Sequence, residues 1–134
     1  MMADDYKDFV EFVIKNYRYA KKIIEVGVGQ RSEVLKELDK ALDAQVIGTD
    51  IKADDPKIVI DDITKPKLEI YTGADLIYSL RLPIELHPFV EEVAKRVGSD
   101  LIIKPLSTEY VNHKSLFKEV KLVNYKDVFF YLFR

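Results

Sequence analysis

Short apolar runs alternate along this chain with longer segments whose apolar residues recur three or four apart, and that alternation predicts most of the architecture. Tyr6, Phe9, Val10, Val13, Ile14 and Tyr17 share one face of a helix, with Asp4 or Asp5 placed to cap it. Ile23, Ile24 and Val26 make a short buried strand, Gly27 and Gly29 turn the chain, and Val34, Leu35 and Leu38 resume at helical spacing in a helix reaching about Leu42. Gln45 to Thr49 is a second strand, and a strand-helix-strand step implies parallel pairing through a right-handed crossover. The next connection, KADDPK, is too short and polar for a crossover helix. IVIDDI therefore follows directly as a third strand ending at Asp61 and Asp62, and the layer covering that side of the sheet is thin. LEIY predicts one helical turn before Gly73, and Ala74 to Leu80 a fourth strand. Phe89, Val90, Val93, Ala94 and Val97 mark a helix stopped by Gly98, and Asp100 to Leu106 a fifth strand. From Phe117, FKEVKLVNY and KDVFFYLFR read as an antiparallel hairpin. Val128 to Phe133 is apolar on both faces, which places it inside the sheet.

Composition narrows the class. At 134 residues, 48% hydrophobic and 33% charged, the chain is expected to form a single domain over residues 1–134. The absence of cysteine removes disulfides, zinc–thiolate sites and cysteine nucleophiles. No apolar run approaches the ~20 residues that span a bilayer, and MMADDYKD has no signal-peptide pattern, so no membrane association and a cytoplasmic location are expected. A net charge of -2 gives no global attraction to nucleic acid or anionic lipid. Arg18, Lys21 and Lys22, and Lys114, Lys118 and Lys121, read first as solvated faces, with a nucleic-acid patch as the sharper alternative. The apolar tail suits an internal strand or the seam of a homodimer.

Candidate chemistry gathers at strand ends. The first strand, its glycine turn and the helix after it present a bare backbone beside a helix N-terminus, a place where a ligand lies close. About 20 residues on, Asp50 ends the next strand, as a dinucleotide fingerprint asks. The bland alternative is a tight turn with no ligand and solvated loop acids. Asp54, Asp55, Asp61 and Asp62 are an alternative magnesium set that the lack of phosphates nearby disfavours, and two isolated histidines, His87 and His113, make no metal site, so no metal is expected. His87, before Pro88 at a helix start, reads as a cap before it reads as a base. Arg81 and Glu85 flank Pro83 in the loop after the fourth strand, where open parallel sheets put ligands; they form either a structural ion pair or a substrate-recognition pair. Tyr78, Tyr110 and Tyr125 read as core residues with a wet hydroxyl, and Lys104 as a side chain snorkelling at a strand end.

Taken together, EVGVG (Glu25, Gly27, Gly29), Asp50 in GTD, Asp61 or Asp62 in IDDI, and the terminal hairpin resemble the class I S-adenosylmethionine-dependent methyltransferases. The runs YSLRLPIEL and IIKPL make the whole chain similar to a small archaeal group of methyltransferase-like proteins, uncharacterised protein family 0146. The resemblance implies a Rossmann-like α/β methyltransferase fold, mostly parallel with a C-terminal antiparallel hairpin and reduced helices on one face. It also implies a small-molecule cofactor, S-adenosylmethionine. On that pattern Glu25, Gly27 and Gly29 border the methionine end, Asp50 accepts from the ribose, Asp62 with Ile63 holds the adenine, and Ser79 faces the sulfonium and an unknown acceptor. Arg81, Glu85 and Lys104 are the substrate candidates. This chain departs from the pattern at Arg31, where a third glycine is usual. SLRLP also lacks the N-P-P-Y sequence of amine methyltransferases, and Leu80 lacks the acid of the lysine-acid-lysine-acid type. Three readings follow: an S-adenosylmethionine-binding protein or methyltransferase, a non-catalytic nucleoside-binding or regulatory module, and a dinucleotide-binding protein. Ser32 and the terminal hairpin disfavour the last.

Overall fold

The computed structural model describes residues 4–105 and 115–134. In chain order these form helix α1 (Asp4–Asn16), strand β1 (Lys22–Val26), α2 (Glu33–Ala41), β2 (Gln45–Asp50), β3 (Ile58–Ile60), α3 (Leu68–Tyr71), β4 (Leu76–Ser79), α4 (His87–Val97), β5 (Asp100–Ile103), β6 (Val120–Tyr125) and β7 (Val128–Phe133). The strands make one sheet in the order β3-β2-β1-β4-β5-β7-β6. All pairings from β3 to β5 are parallel, and β7 runs antiparallel to both β5 and β6.

Strand alternation divides the apolar residues between two cores. Ile23, Leu76, Tyr78 and Ile102 meet Phe9, Val13, Leu35 and Leu38 of α1 and α2 on one face. Ile24, Val26, Ile77 and Leu101 meet Tyr71, Val90, Val93 and Ala94 of α3 and α4 on the other. Burial on both faces is why the central strands read as continuous apolar runs instead of alternating ones. The final strand behaves likewise. Phe130 packs edge-on to Phe9 and Phe12 at 5.5 and 4.8 Å between ring centres, while Phe133 points to the opposite core. The apolar tail is thus covered by its own chain.

Differences from the expected boundaries have local causes. Strand β3 keeps only three residues, although the Asp61 amide still donates to the Asp50 carbonyl at 2.9 Å. Strand β5 stops at Ile103: the Lys104 amide still reaches the Ser79 carbonyl at 2.9 Å, but Pro105 has no N–H to continue. Leu106, Tyr110, His113 and Lys114 lie outside the described residues, as do the side chains of Asp4 and Asp5. Helix α4 begins at His87, earlier than the apolar spacing showed, after a 3-10 turn at Ile84–Leu86. In the short β2–β3 connection, Asp55 takes the place of a helix. It accepts from the Lys57 amide at 2.9 Å and pairs with Lys36 of α2 at 3.3 Å. No helix among the described residues is long and apolar enough to cross a membrane.

Candidate functional site

Parallel strands bring their C-terminal ends to one edge, and the chain leaves β1 there through the glycine turn. Gly27 and Gly29 have φ of 76° and 64°, a region where a Cβ is strained. A Cβ on Gly27 would stand 2.9 Å from Leu82 Cδ1, whereas one on Gly29 would meet nothing within 4 Å. Gly27 is therefore bare so that Leu82 fits; Gly29 is bare on an open side. The Gly27 and Val28 amides donate to the Thr49 carbonyl at 2.9 and 3.3 Å, tying the turn to β2. A third glycine matters here: a Cβ on Gly48 would run into Val28 Cγ2 and stand 3.3 Å from Leu35 Cδ2.

The acids at the strand ends have separate tasks. Asp50 Oδ2 accepts from the Gly29 amide at 2.7 Å, and Oδ1 from the Lys52 amide at 3.3 Å. Asp61 is buried: its carboxylate accepts from the Tyr71 hydroxyl at 2.7 Å and from the Lys67 amide at 3.1 Å, and the same hydroxyl lies 3.2 Å from Thr49 Oγ1. Burial, more than these contacts, pushes the Tyr71 hydroxyl to higher pKa. Asp62 is exposed. It accepts from the Thr64 hydroxyl at 2.7 Å and the Thr64 amide at 2.9 Å, and these two bonds hold its carboxyl below the ordinary range.

These ends enclose a hollow of about 610 Å³, inside the range of roughly 300–1,000 Å³ typical of small-molecule sites. Val26, Ile51, Ile63, Leu82, Pro83 and Leu86 give it apolar walls; Gly27, Gly29, Thr49, Asp50, Asp61, Asp62, Thr64 and Arg81 complete it. Gly27, Gly29, Asp50 and Asp62, expected at the cofactor, are thus brought together with Arg81, expected at the substrate. Glu25, Ser79, Glu85 and Lys104 are not in the wall. Ser79 is fully buried, and its hydroxyl has no hydrogen-bond partner among the described residues. Glu85 is exposed in the 3-10 turn, and Lys104 lies with its ammonium 4.8 Å above the Phe129 ring. Neither Ser32 nor any residue of α2 lines the hollow, so the helix N-terminus does not form part of it. No group of three or more carboxylates or histidines among the described residues is placed to hold a metal ion.

Beneath the turn lies a buried polar cluster. Glu25 is fully buried and accepts from the Tyr78 hydroxyl at 2.8 Å. Its other oxygen stands 3.8 Å from Arg81 Nη2. Arg81 in turn donates to the carbonyls of Val28 and Arg31 at 2.9 and 2.8 Å, and to the Tyr6 hydroxyl at 3.2 Å. The ion-pair partner of Arg81 is therefore Glu25, not Glu85. Arg31 also turns away from the hollow, its guanidinium 5.5 Å from the Tyr6 ring centre and 3.7 Å from Glu33. His87 is buried, with Nε2 3.0 Å from the Leu82 carbonyl. A carbonyl only accepts, so Nε2 carries the hydrogen and His87 fixes the start of α4 to the loop bordering the hollow.

The family model described as Uncharacterised protein family (UPF0146) matches residues 6–134. The chain belongs to this family. A relative from Archaeoglobus fulgidus is 41% identical over 128 residues, covering 92% of this chain and 91% of the relative. One from Methanothermobacter thermautotrophicus is 40% identical over 126 residues, covering 94% and 92%. Among solved structures, an S-adenosyl-L-methionine methyl transferase from Silicibacter pomeroyi superposes with a TM-score of 0.62 at 11% identity, covering 97% of this chain and 91% of that one. The plantazolicin methyltransferase BpumL in complex with SAH gives a TM-score of 0.53 at 17% identity, covering 77% and 46%. At such identities the likeness concerns the fold: a Rossmann-like methyltransferase fold with an antiparallel C-terminal hairpin.

Several residues of the site had no distinct signal in the sequence. Thr49 and Tyr71 join the Asp61 network only because α3 brings the Tyr71 hydroxyl to the end of β2, and LEIY gives no hint of that contact. Leu82 and Leu86 lie within YSLRLPIEL, but nothing in that run assigned them to the wall. Gly48 was recoverable, since a glycine inside a strand often marks a close backbone approach.

Proposed function

We propose that this chain binds S-adenosylmethionine in the hollow and acts as a methyltransferase on an acceptor of unknown identity. One observation carries the reading: Asp50 with the open Gly29 on one side, and Asp62 with Ile63 on the other, border a single apolar-walled hollow. The donor set fits a nucleoside. A carboxylate at Asp50 has acceptor capacity beyond its two backbone bonds, as vicinal ribose hydroxyls require. Asp62 offers acceptors to an exocyclic amine, while Ile51, Ile63 and Leu86 offer apolar surface to a purine. The open face of Gly29 leaves room for the amino-acid end. When bound, the cofactor supplies an electrophilic methyl group, and the protein's share is alignment and exclusion of water.

Charge separates this reading from a dinucleotide. Asp50, Asp61 and Asp62 are in the wall, whereas the guanidinium of Arg81 is committed to Glu25 and to two backbone carbonyls. Such a wall favours a cationic sulfonium over a pyrophosphate. A second reading, a nucleoside-binding module without transfer, is favoured by the loop after β4: Ser79 is buried, and Leu82, Pro83 and Leu86 offer no group to accept a proton.

Calorimetric titration with S-adenosylmethionine, S-adenosylhomocysteine and NAD tests the binding. The two adenosyl compounds are expected to bind at least tenfold more tightly than NAD, and Asp50→Ala to weaken them at least tenfold. Binding of NAD alone, or parent affinity in the Asp50→Ala variant, overturns it. Incubation of cell extract with methyl-labelled cofactor then separates enzyme from binder by the presence or absence of a labelled acceptor.

A further inference from the structure

We propose that the run from Tyr78 to Leu82 is a brace that sets the shape of the glycine turn, with Arg81 as its positioning residue; this deepens the nucleoside reading of the hollow and rests on it. Three contacts carry the inference. Tyr78, in the buried centre of β4, donates to Glu25 on β1 and holds that carboxylate in place beneath the turn. Arg81, two residues beyond β4, joins Glu25 at 3.8 Å and reaches on to the Val28 and Arg31 carbonyls, one inside the turn and one at its far end. Leu82 occupies the volume that a side chain on Gly27 would need.

On the β2 side the turn is held through the Thr49 carbonyl and the Asp50 carboxylate. Both residues also line the hollow, so the curvature between Gly27 and Arg31 decides where the Gly29 amide and Asp50 stand relative to a ligand. A planar guanidinium suits the brace because its donors diverge at fixed angles and bond two carbonyls while remaining charged toward Glu25. Nη2 bonds both carbonyls while Nη1 donates to the Tyr6 hydroxyl; a lysine ammonium, with three donors on one freely rotating nitrogen, can reach the carbonyls but does not fix these directions or keep the Tyr6 contact. The arrangement also gives Arg81 a role other than substrate recognition: its donors face inward, to the backbone of the turn and to Tyr6.

The test uses the full chain with Arg81→Met and Arg81→Lys, amide hydrogen exchange without ligand, and S-adenosylhomocysteine titration. The brace predicts that Arg81→Met speeds exchange at the Val28 and Gly29 amides at least tenfold relative to amides in β1 and β4. It also predicts at least tenfold weaker S-adenosylhomocysteine binding, with partial recovery of both in Arg81→Lys. An Arg81 that merely stabilises the fold would lower the melting temperature and speed exchange evenly across the sheet, leaving the affinity of the folded protein within twofold; that result overturns the proposal. If Arg81→Met does not fold, Arg81→Gln, which removes the charge and shortens the reach, supplies the same exchange comparison, and parent-like rates at Val28 and Gly29 in that variant overturn it. Failure of the parent to bind S-adenosylhomocysteine refutes the nucleoside reading instead, and the turn-specific exchange still decides whether the brace exists.

Discussion

Replacing Glu25 by glutamine removes a titrating group from the middle of the fold while keeping its shape and its acceptor for Tyr78. Burial pushes the Glu25 carboxyl up from its usual 4.5 to about 7; the hydrogen bond from Tyr78 and the charge of Arg81 oppose that rise, and Glu33 and Asp50 add to it. A carboxyl with a raised pKa holds its proton more tightly in the folded chain than in the unfolded one. Its stabilising contribution is therefore complete below pH 4.5 and is lost as pH rises through about 7. At about 1.36 kcal/mol per pH unit, the loss across that window is about 3 kcal/mol, a large share of the ~5–15 kcal/mol typical of a whole domain. Urea unfolding of the parent and Glu25→Gln from pH 4.5 to 8 measures it. Because other groups titrate alike in both chains, the difference isolates Glu25: parent stability relative to the variant is expected to fall by about 3 kcal/mol and then level off. Curves parallel to within about 0.5 kcal/mol would refute the reasoning, since they would mean that Arg81 and Tyr78 fully offset burial and keep the carboxylate ionised in acid.

Three further changes probe the support of the hollow. Gly48→Ala drives a methyl group into Val28 and is expected to cost about 1–3 kcal/mol; Val28→Ala in the same chain should recover part of it, seen as a positive coupling in a double-mutant cycle of urea midpoints. Tyr71→Phe deletes the buried hydroxyl on Asp61 and should destabilise by about 1.5–3 kcal/mol, read from denaturant midpoints; a neutral result would show that water replaces the bond. Gly27→Ala places a Cβ at φ 76° against Leu82, and an increase of at least 1 kcal/mol in instability together with weaker S-adenosylhomocysteine binding is the expected outcome of thermal melts and titration.

The element order, the parallel core and the inserted last strand were all present in the sequence, because each follows from local periodicity and from whether one or both faces of a strand are apolar. EVGVG and Asp50 were legible for a similar reason: a glycine turn between strand and helix, and an acid at the next strand end, are short-range patterns that a parallel sheet necessarily brings to one edge. The sequence could not say which side of the sheet a strand residue would face in company with a distant partner. Glu25 and Ser79 lie beside residues of the site in sequence, yet strand alternation and packing bury both away from the hollow. Asp61 and Asp62 are adjacent and chemically identical, and only the tertiary position of Tyr71 on α3 takes one into the interior and leaves the other in solvent. Arg81 and Glu85 looked like natural partners four residues apart; tertiary contact gave Arg81 to Glu25, 56 positions earlier. Period and turn chemistry are set by neighbours along the chain, whereas the environment of a polar side chain is set by whatever the sheet lays against it.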